Sequence, residues 1–222
     1  KLLPILEQME IAQEYKPIKN KYEAFLHYSG LQQKNYKYPQ VYLTQTSFNS
    51  SNGDGTVRNR NADYATCQGA STGETLNGGG TQIPIVNNYT AGAYEIWRGF
   101  LPFDTSAIGS SNTISSAYLH CYESGTKSDY DNDSVVIVSN TQANNTLLAL
   151  GDFGSVGTVS WGSILIANIT NSTYYDITVN ATGLSNISKT GYTKFALRVG
   201  RDISATSPTI AGNISAGYAT RN

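Results

Sequence analysis

From residue 41 onward the chain is cut into short apolar stretches by clusters of Gly, Asn, Asp and Ser, and this punctuation limits the fold more than any other feature. Runs of five to ten residues between such breaks suit strands. They leave no room for the long amphipathic helices of alternating βα units. The breaks include Asn52-Gly53-Asp54-Gly55, Gly78-Gly79-Gly80, Ser124-Gly125 and Gly151-Asp152. Strands are expected at residues 41–46, 56–59, 64–69, 93–103, 115–123, 134–139, 159–167, 174–179, 194–201 and 214–220. Residues 180–189 form the one helical stretch expected among them. Regularly spaced short strands imply an all-β two-sheet sandwich or barrel.

The composition agrees. Ser and Thr total 46 and Asn 20, while charged residues make up only 14%. Surface helices normally carry far more Lys and Glu. A formal net charge of -1, with no run of either sign, argues against a nucleic-acid partner. No apolar stretch approaches the roughly 18–20 residues needed for a membrane-spanning helix. The chain opens at Lys1 without Met or a signal-peptide pattern, which suggests a processed or trimmed start.

Residues 1–30 read differently. Leu2, Ile5, Met9 and Ala12 recur at helical spacing, Pro17 interrupts, and a second helical stretch carrying Tyr22, Phe25 and Leu26 stops at Gly30. Residues 31–40 are polar and linker-like. The expected organisation is therefore a helical attachment or assembly segment with its linker over 1–40 and a β-domain over 41–222. The helical pair either packs on its own domain or assembles with copies of itself.

Four collinear segments resemble the jelly-roll modules called DNRLRE domains, and more closely their relatives in bacteriophage and microbial surface proteins. They are Trp97-Arg-Gly-Phe-Leu-Pro-Phe-Asp-Thr-Ser106, Ile114-Ser-Ser-Ala-Tyr-Leu-His-Cys-Tyr122, Tyr175-Asp-Ile-Thr-Val-Asn-Ala-Thr-Gly183 and Ile187-Ser-Lys-Thr-Gly-Tyr-Thr-Lys-Phe-Ala-Leu-Arg198, the last running on through Arg201-Asp202-Ile203. The resemblance implies a jelly-roll β-sandwich with an N-terminal α-helical extension. It says little about function.

The same segments have direct physical readings. Leu101 and Phe103 point to one side of a strand, and Asp104, Thr105 and Ser106 offer oxygens to backbone N–H groups at its end. Ala117, Leu119 and Cys121 face a core while Tyr118, His120 and Tyr122 face outward. The family usually ends in a further apolar strand. Its absence here leaves three expectations: a trimmed chain, residues 41–46 in its place, or a strand donated by another subunit.

Candidate sites are few. Cys67 and Cys121 both lie in expected strands, where a disulfide and two buried free thiols are equally compatible with the sequence. Asn49, Asn88, Asn132, Asn144, Asn168, Asn171, Asn180, Asn186 and Asn213 begin Asn-x-Ser/Thr acceptor patterns, about twice the chance number. Asp129, Asp131 and Asp133 alternate as hard oxygen ligands suited to calcium, although Ser134 and Asn140 replace the Gly and Glu of a hand-type loop. An acidic hairpin tip explains them more simply. Trp97, Trp161, Tyr130 and Tyr192 are candidate rings for stacking on a glycan, but no spacing singles them out and a core or sheet-surface role is the simpler reading.

Gly69-Ala70-Ser71-Thr72-Gly73 matches a hydrolase nucleophile pattern but is followed by a loop, and neither His27 nor His120 is brought to it by the sequence. Glu95, Glu123, Asp152, Asp176 and Asp202 read as outward-facing or turn acids. No cofactor is expected. These features point to a non-enzymatic structural or adhesive protein, extracellular on a virion (decoration, fibre or tail) or in a cell-surface filament, with copies of itself or other surface proteins as partners. The alternative is a carbohydrate-binding module that targets a polysaccharide.

Overall fold

The computed structural model describes residues 45–78, 82–124, 127–129 and 132–208, and the backbone of Asn213–Ala219. The expected N-terminal helices, the linker, Tyr130 and Asp131 lie outside the described residues. Apart from residues 45–47, everything described belongs to the unit Phe48–Asn222.

The described residues are all-β, with ten strands and three short α-helices among them. In chain order these are β1 (Gly55–Asn61), α1 (Tyr64–Gln68), β2 (Thr75–Gly78), β3 (Gln82–Thr90), β4 (Ala93–Asp104), β5 (Tyr118–Glu123), β6 (Ser134–Ser139), β7 (Gly162–Leu165), β8 (Tyr174–Thr178), α2 (Ala181–Ser185), β9 (Tyr192–Val199), α3 (Gly200–Ile203) and β10 (Asn213–Ala219). Every strand pair among them is antiparallel. The main order runs β7-β6-β9-β4-β3-β10-β5-β8, and β1 joins β4 to β2.

Strand β4 organises the sheet because it changes partners along its length. β1 pairs with it from Tyr94 to Phe100, so the partners opposite β1 share the other edge. On that edge β3 pairs with residues 93–97 and β9 with residues 99–104. Two wings therefore diverge from one strand: β3-β10-β5-β8 and β9-β6-β7. Gly99 sits at the handover, and a Cβ there would meet Ile85 Cδ1 at 2.5 Å and Ile83 Cγ2 at 2.7 Å.

Both wings feed one apolar cluster. Ile83, Ile85, Leu119, Cys121 and Ile177 come from the first, and Val135, Ile137, Phe195, Leu197 and Val199 from the second. The outer ends of the wings also meet. The backbone N–H of Asn180 donates to Trp161 O at 2.7 Å, and a Cβ on Gly162 would collide with the Thr178 carbonyl oxygen. A second cluster, Val57, Tyr64, Cys67, Ile96, Phe100, Leu148 and Phe153, packs separately.

Local chemistry explains several elements. The β3–β4 hairpin turns on Ala91 and Gly92, both at positive φ (48° and 77°), the pair a two-residue primed turn requires. Where a strand is expected over 64–69, Tyr64–Gln68 form helix α1 with Gly69 as its C-cap. Asp63 caps it by accepting the Thr66 N–H at 2.8 Å, and the buried residues Tyr64 and Cys67 are three apart, at helical spacing.

Strand β3 has no counterpart in the expected set, because Pro84 and the Asn87-Asn88 pair disguise it. The expected closing strand is present. β10, the expected 214–220 strand, pairs along its length with β3 and at Tyr218 and Ala219 with β5. It joins the two halves of its wing. Residues 45 and 46 are not in a strand, and 41–44 lie outside the described residues.

Candidate functional site

Ionisable side chains inside the domain are consumed by the fold. Asp202, which the sequence suggested was a surface or turn acid, is 1% exposed. Its Oδ1 accepts from Arg98 Nη2 at 2.7 Å, and its Oδ2 accepts from Arg98 Nε at 2.8 Å and Arg198 Nε at 2.7 Å. Burial alone would raise its pKa, but the hydrogen bonds from Arg98 and Arg198 outweigh that and hold it below the usual carboxylate value.

The remaining guanidinium donors reach the carbonyls of Phe153, Gln68, Gly157 and Asp202, and Arg98 lies 4.0 Å over the Phe153 ring. Gln68 Nε2 donates to Asp202 O, and Tyr64 O–H to Arg201 O, tying α1 to α3. Burial pushes the Tyr64 hydroxyl up to about 12. Glu123 and Asp152 are likewise buried. Asp152 accepts from the Ala149 and Ala143 N–H groups and so closes a 3₁₀ turn.

The calcium candidates Asp129 and Asp133 spend carboxylate oxygens on backbone N–H groups. Asp133 Oδ1 accepts from Ser134 N–H at 2.6 Å and Oδ2 from Arg201 N–H at 3.1 Å, while its own N–H donates to Asp129 Oδ1. Desolvation raises the Asp133 carboxyl despite those hydrogen bonds. Asp131 lies outside the described residues. Among the described residues no three His, Cys, Asp or Glu side chains gather to hold a metal.

Cys67 and Cys121 are free, buried and in different apolar clusters. Burial pushes the Cys67 thiol up to about 11 and raises Cys121 further. Ser71 follows helix α1 where a nucleophile elbow needs a strand. His120 is occupied elsewhere. Of the glycosylation patterns, Asn88 is buried in β3, and the Asn180 side chain caps α2 by accepting the Gly183 N–H. Asn49, Asn132, Asn144, Asn168, Asn171 and Asn186 are exposed, and the Asn213 side chain lies outside the description.

The three described glycan-stacking candidates do not form one platform, and Tyr130 lies outside the described residues. Trp161 is 8% exposed and packs edge-to-face on Phe195 at 5.9 Å, so it is core. Tyr192 stands opposite Asp104 on β9, seven β4 residues from Trp97, or roughly 23 Å along the strand. Trp97 and Tyr192 are both half-buried, and the Arg58 guanidinium lies 5.3 Å from the Trp97 ring centre.

The prominent surface feature was legible as alternation but not as a site. On the outer side of β5 and β8, register places His120 opposite Asp176 and Tyr122 opposite Tyr174. The His120 and Tyr174 rings stack at 4.8 Å and 5°, and Tyr122 meets Tyr174 edge-on at 4.9 Å. His120 Nδ1 lies 2.6 Å from Asp176 Oδ1. Tyr118 and Tyr174 remain 50% and 58% exposed. The outward parity of Tyr118, His120 and Tyr122 was readable in β5, but their partner Tyr174 comes from a strand more than fifty residues on.

Among the described residues no helix is long and apolar enough to cross a membrane. No protein-family model matches the chain, and a search of curated proteins finds no match either.

Proposed function

We propose that this chain is a non-enzymatic adhesive or structural module of the jelly-roll β-sandwich class, working outside the cell on a virion or in a cell-surface filament. Two wings closing on one core support the sandwich assignment, together with the collinear resemblance in sequence. Residues 1–40 supply the attachment or assembly element in this reading.

The aromatic row on β5 and β8 carries the functional part. Exposed tyrosines backed by stacked and edge-on neighbours give a rigid, weakly charged contact surface, with hydroxyls that tolerate water until a partner arrives. The partner is a protein surface, a second copy of this chain or a neighbouring subunit.

Sedimentation of the full chain over a wide concentration range tests this. Concentration-dependent association that disappears in Tyr118→Ser/Tyr174→Ser is the expected result. A monomer at every concentration, with no binding to the surface it is isolated with, would overturn the proposal.

A further inference from the structure

The described residues contain three acid or amide side chains followed directly by glycine: Asn52-Gly53, Asp54-Gly55 and Asn77-Gly78. In such a pair the glycine nitrogen is the least shielded nucleophile a backbone offers, because no Cβ stands beside it. The fold locks the first two. Asp54 N–H donates to Ser51 O at 3.0 Å across the turn, and Gln142 Nε2 donates to Gly53 O at 3.0 Å. A Cβ on Gly53 would meet Asn145 O at 2.5 Å. Asp54 is 0% exposed, and its Oδ2 accepts from Ser50 Oγ at 2.6 Å.

Asn77-Gly78 is the reverse case. All four residues of β2 are exposed, and among the described residues β2 pairs with β1 alone. A Cβ on Gly55 would lie 2.3 Å from Asn77 O, so that carbonyl points at β1. Across a trans peptide the following N–H points the opposite way. Gly78 N–H therefore faces the open edge of β2, next to the exposed side-chain amide of Asn77. The extended backbone of a strand holds that nitrogen away from Asn77 Cγ, so the two meet only when the strand opens locally. A four-residue edge strand with every residue exposed is where such opening costs least.

We propose that Asn77 is a site of spontaneous modification, at which the side-chain amide is exchanged for a carboxylate with water as the only co-reactant. Gly78 N gives up its proton and attacks Asn77 Cγ. A C–N bond forms, the Cγ–Nδ2 bond breaks, and ammonia leaves with that proton, so a cyclic imide remains. Water then opens the ring. Cleavage between the nitrogen and Cγ gives aspartate; cleavage between the nitrogen and the backbone carbonyl carbon gives isoaspartate, with one more methylene in the main chain. Either product puts a negative charge on an edge that has none from Thr75 to Gly78, which blunts it against pairing with another chain. The fold tolerates that charge, because Asn77 shares the face of Arg58, and Arg58 and Arg60 have only the carboxylate of Glu95 between them. The site is independent of the β5–β8 contact surface.

The test holds the full chain in mildly alkaline buffer, native and in guanidinium, and maps it by peptide mass spectrometry, with electron-transfer fragmentation to separate aspartate from isoaspartate. In the denatured chain both Asn-Gly pairs are expected to convert at similar rates. In the native chain Asn77 should outpace Asn52 by roughly tenfold or more, because only its segment opens without global unfolding. Gly78→Ala should slow Asn77 severalfold by shielding the nitrogen. That variant keeps the fold: the added Cβ would meet only Leu148 and Leu76, at 3.8 and 3.9 Å, and Gly78 does not sit at positive φ.

An intact Asn77 in the native chain after the denatured chain has converted would overturn the proposal, and so would equal native rates at Asn52 and Asn77. An unaltered rate in Gly78→Ala would assign the loss of the amide to direct hydrolysis and overturn attack by the glycine nitrogen. The wild-type time course decides the matter even where a variant fails to fold.

Discussion

Arg98 and Asp202 are 104 residues apart in sequence and meet through two hydrogen bonds of 2.7 and 2.8 Å in the interior, so the middle of β4 is fastened to the turn of α3. Arg198, one turn before Asp202, supplies a second cation to the same carboxylate. Removing that carboxylate leaves two buried guanidinium groups without a counter-charge. Asp202→Asn is therefore expected to destabilise the domain by about 3–5 kcal/mol, read from denaturant unfolding.

The same carboxylate sets the response to acid. Its folded pKa lies below the unfolded value, so its contribution is complete above the ordinary aspartate range and is lost as pH falls through the folded pKa. Asp133 has the opposite sign: with a raised folded pKa, its contribution is present in acid and lost as pH rises through that value. A melting series from neutral pH downward should show a fall below about pH 4 that is blunted in Asp202→Asn. An unchanged acid limb in the variant would show that other carboxylates govern acid unfolding.

The closure between the two wings depends on a missing side chain. Gly162 of β7 faces the Thr178 carbonyl, and backbone cannot yield as a flexible side chain can. Gly162→Ala should cost about 1–3 kcal/mol and lower Tm by roughly 3–10 °C. Gly151→Ala, where an added Cβ meets nothing within 4 Å, is the matched control and should melt within about 2 °C of wild type.

Both thiols are buried, and burial disfavours their reactive anions. Iodoacetamide at about pH 8 should add nothing to the native protein and two groups after denaturation, without prior reductant. Failure to alkylate the denatured chain until it is reduced would reveal a bridge in place of the two free thiols.

Tyr174 packs on His120 and Tyr122 at the surface and belongs to neither apolar cluster. Tyr174→Ser should move Tm by only about 2 °C while weakening association of the full chain. A large loss of stability would instead assign the row to the folding of β8.

The sequence was most informative where period and burial coincide. The 134–139 strand appears with its expected bounds, because Val135 to Val138 lie between turn residues and pack on both sides. Leu119 and Cys121 face the core as alternation implies, and the short helix within 180–189 is capped by its own Asn180.

Legibility failed where distant partners decide. Asn87 stays in the middle of β3 because Tyr64 O–H accepts its side-chain N–H, and Pro84 is tolerated opposite Gly217 of β10. Asp202 looked like a surface acid because Arg98 and Arg198 cannot be paired with it by spacing alone. The surroundings of Trp97 were half visible: the ring could be named from sequence, but not the Arg58 that register sets opposite it.

The position of β10 has a consequence for synthesis. Its Asn213 pairs with Asn88, which leaves the ribosome 125 residues earlier, a delay of about 10 s at ordinary elongation rates. During that interval one edge of β3 and one edge of β5 expose unpaired backbone to any other nascent strand nearby. Successive ribosomes on one message carry such chains close together. Crowding during translation, more than the stability of the finished domain, would then govern how much of it reaches the native state.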